Sequence, residues 1–352
     1  MDFSGFPGGE DYKDANNLGL LDQIAALEWV KENIKNFGGN PEQITAIGDS
    51  AGGISICLLA VCERAKGLFN KAIILSGNPL SSLAESNDFT SQKNKILKAT
   101  SASNMKELLA LSESEIAALT QKLKGDLLIP KRDGKLISED VYEAYRQGKA
   151  KDIQFILCAS KDISNVYSSS IGRGFGEEVI SSIIEYNINK QNPKTAEKIR
   201  AYITDEIERI GRAKANAKLS NIWINQAGLI ILSEAIQQGN GSVRTMYWNV
   251  DAVIKELGAG DVDIINALLN NDEVGVAYGS ATKDSIREIL QSLAVKFIFG
   301  DKTELFNGEL EGIDAIKWEQ FPSVLSVNNH EVKIEPVAKA MIEAENFMKK
   351  IY

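Results

Sequence analysis

With 352 residues, 44% of them apolar and 25% charged, the chain has the composition of a soluble globule, large enough for one α/β unit carrying a lobe. Its formal net charge of -9 argues against a nucleic-acid partner and against an anionic membrane surface, both of which require a basic face. No apolar run is long enough to span a bilayer, and Met1-Asp2-Phe3-Ser4-Gly5 does not open a signal peptide, so the cytoplasm is the expected compartment.

Residues 1–16 are rich in Gly, Asp and Asn and read as loop. Helical spacing follows at Leu20, Ile24, Leu27 and Ile34, with Asn17 as N-cap and Gly38-Gly39 as the stop. Residues 44–47 suit a buried strand, 48–53 a turn and 54–65 a helix. Residues 71–76 form another short apolar strand, closed by Gly77-Asn78-Pro79. Residues 81–127 are helical and charged, and 128–150 join a loop to a short helix near 141–146. Residues 153–159 make a strongly apolar strand, 176–238 are mostly helical, and 243–248 return to strand. Helices are expected again at 283–298 and 335–350. Strands separated by helices predict an α/β fold with a mostly parallel sheet covered on both faces. There is no internal repeat and no low-complexity linker. The chain reads as one domain over residues 1–352, with 81–150 and 165–240 as helical insertions.

The cysteines, Cys57, Cys62 and Cys158, are odd in number and sit in apolar surroundings. They read as buried free thiols, and no C-x-x-C or H-x-x-x-H spacing suggests a metal. Gly172-Arg173-Gly174-Phe175-Gly176 follows a serine run rather than a clear strand and reads as loop, not phosphate cradle. Asp261 and Asp263 read as solvated turn carboxylates rather than a glycosidase-like pair. Trp29, Trp248 and Trp318 are expected in core or lobe packing.

One motif carries chemistry. Gly48-Asp49-Ser50-Ala51-Gly52 is a G-x-S-x-G pentapeptide between a predicted strand and a predicted helix, the context a nucleophile elbow requires. Its glycines let the sharp turn approach neighbouring backbone. The backbone N–H of Ala51, at the helix start, is a candidate oxyanion donor. A serine hydroxyl becomes a useful nucleophile only when an adjacent base, usually an imidazole, takes its proton. The chain has a single histidine, His330, in the polar stretch Asn328-Asn329-His330-Glu331, which reads as a solvated loop or strand end.

The flanks widen the match. Asn17-Leu18-Gly19-Leu20-Leu21-Asp22-Gln23, Ala26-Leu27-Glu28-Trp29-Val30, Phe37-Gly38-Gly39-Asn40-Pro41 and the elbow resemble the type-B carboxylesterase family, which also holds the cholinesterases and the neuroligins. Ala65-Lys66-Gly67-Leu68-Phe69, Leu75-Ser76-Gly77, Arg132-Asp133-Gly134 and Lys151-Asp152-Ile153 continue the resemblance, which is strong at 15–80 and faint after about 170. It implies an α/β-hydrolase fold: a mostly parallel twisted sheet, flanking helices and a helical lobe. It also implies hydrolysis of small-molecule carboxylic esters through an acyl-serine, with Ser50 as nucleophile and no cofactor.

Position by position, the resemblance breaks at the partners. The family's acid follows the strand at 153–159, where this chain reads Ser160-Lys161-Asp162-Ile163; Asp162 matches an aspartate and Ile163 takes the place of the glutamate. The family's histidine falls in Gly258-Ala259-Gly260-Asp261, at Asp261. An isoleucine cannot orient an imidazolium, and an ordinary aspartate, with a pKa near ~4, is a weak base toward an alcohol. No H-G-G-G loop precedes Ser50, so the chain reads as N-terminally truncated relative to the family, lacking its first strands. A lost oxyanion donor costs ~10²–10³ in rate, and a lost triad member ~10⁴–10⁶.

Three readings stay open. The chain is a carboxylesterase homologue that is inactive or nearly so, or an active serine esterase using Asp261, Asp162 or His330 as an unusual base. Alternatively, it is a binding module of the neuroligin type, whose exposed sheet edge takes a protein partner or a separate N-terminal segment.

Overall fold

The computed structural model describes residues 16–81, 88–123, 130–137, 140–169, 177–260, 262–269, 284–300 and 318–352. Gly172 to Gly176 and Asp261 lie outside the described residues.

Six strands form one sheet: β1 (Thr45–Asp49), β2 (Lys71–Leu75), β3 (Gln154–Ser160), β4 (Ser242–Asn249), β5 (Ser323–Asn328) and β6 (Val332–Pro336). Their spatial order is their chain order. The first five run parallel, and β6 returns antiparallel to β5. Every residue of β2 and β3 is buried, as continuous apolar runs inside a parallel sheet require. Asp49, Leu75, Cys158, Met246 and Leu325 stand in register, so the carboxyl ends of five strands share one edge of the sheet. That edge is where open α/β sheets bind ligands.

The helices, in chain order, are α1 (Leu18–Asn33), α2 (Ala51–Leu59), α3 (Asp88–Ala99), α4 (Met105–Leu109), α5 (Glu113–Lys122), α6 (Val141–Arg146), α7 (Asn165–Ser168), α8 (Glu177–Asn189), α9 (Pro193–Ile210), α10 (Arg212–Leu219), α11 (Gly228–Gln238), α12 (Val262–Leu269), α13 (Asp284–Phe299), α14 (Val337–Ala340) and α15 (Ile342–Ile351). A π-helical stretch, Ser220–Ala227, joins α10 to α11 in one continuous rod. Alternate strand residues serve two cores. Ala72, Ile74, Phe155 and Leu157 pack with α2, α11 and α15, while Ile73, Leu75, Ile156 and Cys158 pack with α12 and α13. A smaller cluster around Ile96, Leu108 and Leu119 joins α3, α4 and α5. The three cysteines are buried, with no disulfide between them. Among the described residues no helix is long and apolar enough to cross a membrane.

Four local expectations change. The helix expected at 54–65 starts at Ala51, because the turn is confined to Ser50, and stops at Leu59. Strands β5 and β6 had no counterpart in the sequence reading, and β6 takes 335 and 336 from the expected last helix, which breaks again at Met341. Asn17 precedes α1 but does not cap it: its backbone is left-handed and its amide donates to the Lys131 carbonyl (2.9 Å) and to Asp133 (3.0 Å). Trp248 and Trp318 are core residues, but Trp29 is 55% exposed and leans on the exposed ring of Phe37.

Candidate functional site

Ser50 follows directly on β1 and precedes α2, with φ 49° and ψ −113°. That backbone lies outside the helical and extended regions, and holding a non-glycine residue there costs about 1–3 kcal/mol. The neighbours fix it. Ser50 N donates to the Leu75 carbonyl at 2.8 Å, and Ile54 N donates to the Ser50 carbonyl at 3.0 Å. A Cβ at Gly48 would come within 2.5 Å of the Gly52 carbonyl carbon, and one at Gly77 within 2.7 Å of the Ser50 carbonyl oxygen. Both glycines are therefore requirements of the turn. Ser50 occupies the N-cap position of α2, yet its side chain makes no capping hydrogen bond. The hydroxyl is thus not spent on the helix, and the first N–H groups of α2, beginning with Ala51, face an anion-friendly helix start.

The same edge continues strand by strand. Ser76, also left-handed at φ 50°, donates its N–H to the Cys158 carbonyl at 2.7 Å and shares a 2.9 Å hydroxyl contact with Ser160. Lys161 N donates to the Trp248 carbonyl. Beyond it, Asp162 and the loop after β4 clasp each other. Asp162 N donates to the Ala259 carbonyl at 2.9 Å, and Ala259 N donates to Asp162 Oδ2 at 3.1 Å. Gly258 adopts φ 64°, and a Cβ there would stand 2.4 Å from that oxygen. Burial pushes the Asp162 carboxyl above the usual carboxylate range, against the lowering effect of the Ala259 N–H.

The candidate residues are therefore brought only partly together. Asp162 lies at the end of β3, two strand spacings from β1, or about 10 Å across the sheet, and its carboxylate engages Ala259 rather than Ser50. Ile163 follows it, half-buried, with no group to offer a proton or accept one. Gly258 and Ala259 carry the chain up to Asp261, itself outside the described residues. His330 sits exposed in the turn between β5 and β6, its backbone N–H donating to Asn328 Oδ1 at 2.9 Å. Four strand spacings, about 19 Å, separate β5 from β1.

A polar rod that the sequence reading passed over supports this edge. Asn225 Nδ2 donates to the Ser160 carbonyl (2.5 Å) and Gln226 Nε2 to the Lys161 carbonyl (3.1 Å). Ser164 N donates to Asn221 Oδ1 (2.7 Å), and Asn78 Nδ2 donates to the Ile224 carbonyl (2.8 Å). All belong to, or grip, the π-helical stretch; such stretches recur at functional sites. The signal was present as Asn221, Asn225 and Gln226 interrupting an apolar helical run, since buried amides imply specific partners.

A cavity of about 480 Å³ opens beside Asp162, between α10, the π-helical stretch, the end of β4 and α15. Ser50 does not line it.

Comparison with known proteins gives a consistent picture. The model of the carboxylesterase family matches residues 2–238. The para-nitrobenzyl esterase of Bacillus subtilis (strain 168) is 32% identical over 189 residues, covering 51% of this chain and 38% of that protein. The liver carboxylesterase of Sus scrofa is 40% identical over 126 residues, covering 34% of this chain and 22% of that protein. The matched stretches thus span less than two fifths of either relative. A solved carboxylesterase of Geobacillus stearothermophilus superposes with a TM-score of 0.74 at 24% identity, over 97% of this chain and 73% of the other, which shows a shared fold.

Proposed function

This chain belongs to the carboxylesterase family, and from that premise we propose that it is an ester-hydrolase homologue in which Ser50 keeps nucleophile geometry but has no working base. The observation that carries the proposal is the position of the single histidine. His330 is exposed in a hairpin turn at β5, four strand spacings from Ser50, and the chain holds no other imidazole.

Two substitutions support the reading. Ile163 stands where the family's acid is expected, and Asp261 where its histidine is expected. The elbow retains what the fold needs: the left-handed Ser50, the close-packed Gly48 and Gly77, and the N-terminus of α2. These retained features set a tight turn without supplying proton transfer, so the acyl-serine step is left with water as its base. A small-molecule carboxylic ester remains the substrate class for any residual reaction.

One observation favours a second reading, an active esterase with Asp162 as base: burial raises that carboxyl toward a more basic range. Its engagement with Ala259 and its distance from β1 count against it.

Treatment with a fluorophosphonate probe separates these readings. The proposal expects labelling of the native chain no greater than that of Ser50→Ala. Stoichiometric labelling that disappears in Ser50→Ala overturns it, and loss of that labelling in Asp162→Asn then assigns the base.

A further inference from the structure

The 480 Å³ cavity is of ligand size and independent of Ser50. Its floor holds polar groups that the fold leaves open. Tyr247, on β4, is only 7% exposed, lines the cavity, and its hydroxyl makes no hydrogen bond among the described residues. Burial, reinforced by the nearby Asp162 and Glu343 charges, holds its phenol well above the ordinary range, so it stands as a permanent donor. Gln226, also buried, lines the cavity and donates its amide N–H to the Lys161 carbonyl, while its carbonyl oxygen makes no hydrogen bond among the described residues. Polar groups of two buried residues that line one cavity are best served by water or a ligand that completes their hydrogen bonds.

The walls carry charge of opposite sign on different elements. Along α10, Lys214 and Lys218 lie four residues apart and both line the cavity. Lys218 is committed to Glu206 at 3.1 Å, while Lys214 makes no ion pair among the described residues. Glu343, at the start of α15, also lines the cavity, and its charge reaches Asp162 and Tyr247. Lys161 offsets Asp162, and Glu256 also lines the cavity; Glu343 is a lining carboxylate that makes no ion pair among the described residues.

We propose that this cavity binds a small zwitterion with its ammonium and carboxylate at opposite ends, the carboxylate at Lys214, the ammonium at Glu343, and the Tyr247 hydroxyl and Gln226 carbonyl oxygen satisfied between them. Neither a simple anion nor a simple cation uses both walls.

Calorimetric titration of the full chain with 6-aminohexanoate, hexanoate and hexylamine tests this. The expected result is saturable binding of 6-aminohexanoate with a Kd on the order of 1 mM or below, and binding of either single-charge analogue at least about tenfold weaker. Lys214→Gln and Glu343→Gln, both at exposed positions, each weaken it about threefold to fivefold. Tyr247→Phe, which keeps the ring, weakens it about fivefold. No saturable heat, equal affinity for hexanoate or hexylamine, or an unchanged Kd in all three variants overturns the proposal.

Discussion

At the scale of single residues, backbone clearance governs the elbow. Ser50 holds φ 49° because Gly48 and Gly77 let three backbone segments converge. A methyl group at Gly48 meets the Gly52 carbonyl carbon and oxygen at 2.5 and 2.6 Å, and backbone cannot yield as a flexible side chain does. Gly48→Ala is therefore expected to destabilise by roughly 2–4 kcal/mol in urea unfolding. Gly52 has nothing within 4 Å of its would-be Cβ and lies in α2, so Gly52→Ala should be neutral, within about 0.5 kcal/mol, or slightly stabilising. Asp162 gives a pH prediction. Its folded pKa lies above the unfolded value, so the folded state binds more protons between the two, and stability falls as pH rises through that window. Asp162→Asn keeps an oxygen for the Ala259 N–H and removes this penalty. The variant should unfold at a higher temperature than the wild type at neutral pH, with the difference closing as pH drops to the ordinary aspartate range. The motif around Ser50 was legible because glycine spacing reports backbone geometry directly. The clasp of Asp162 with Ala259 was not, because it joins residues 97 positions apart through a main-chain N–H that any residue supplies.

At the scale of elements, the π-helical stretch Ser220–Ala227 fixes the crest of β3 to the helical lobe. Asn225 is buried and donates to the Ser160 carbonyl. Asn225→Ala leaves that buried carbonyl without its donor and should cost about 1–3 kcal/mol by chemical denaturation, with Asn225→Gln recovering little because the longer side chain has no room. Strands β2 and β3 were readable from sequence since burial on both faces writes a continuous apolar run. Strands β5 and β6 were missed for the opposite reason. Ser326 interrupts β5, and β6 alternates Val332 and Ile334 with Lys333 and Glu335, the charged pattern of a protected edge, which by itself resembles surface loop. The start of α2 was misread by three residues because its first turn carries the poor helix formers Gly52 and Gly53, of which Gly53 sits close against Ile74, Gly48 and Gly77.

At the scale of the molecule, a sheet in simple chain order gathers its strand ends along one edge, and the family assignment rests on that architecture together with the residues around Ser50. The sequence flanking the elbow sufficed to anticipate fold and family. The cavity could not be anticipated, since Lys161, Lys214, Tyr247 and Glu343 come from the turn after β3, from α10, from β4 and from α15 and meet only once the sheet and rod have packed. The same packing keeps His330 at the far side of the sheet from Ser50, which supports the proposal that the elbow lacks an imidazole base. Steady-state hydrolysis of p-nitrophenyl acetate by the wild type and by Ser50→Ala, at equal concentration and neutral pH, tests this most directly. The account predicts rates within about twofold of each other, whereas a wild-type rate exceeding the variant's by about tenfold or more, at saturable substrate, contradicts it.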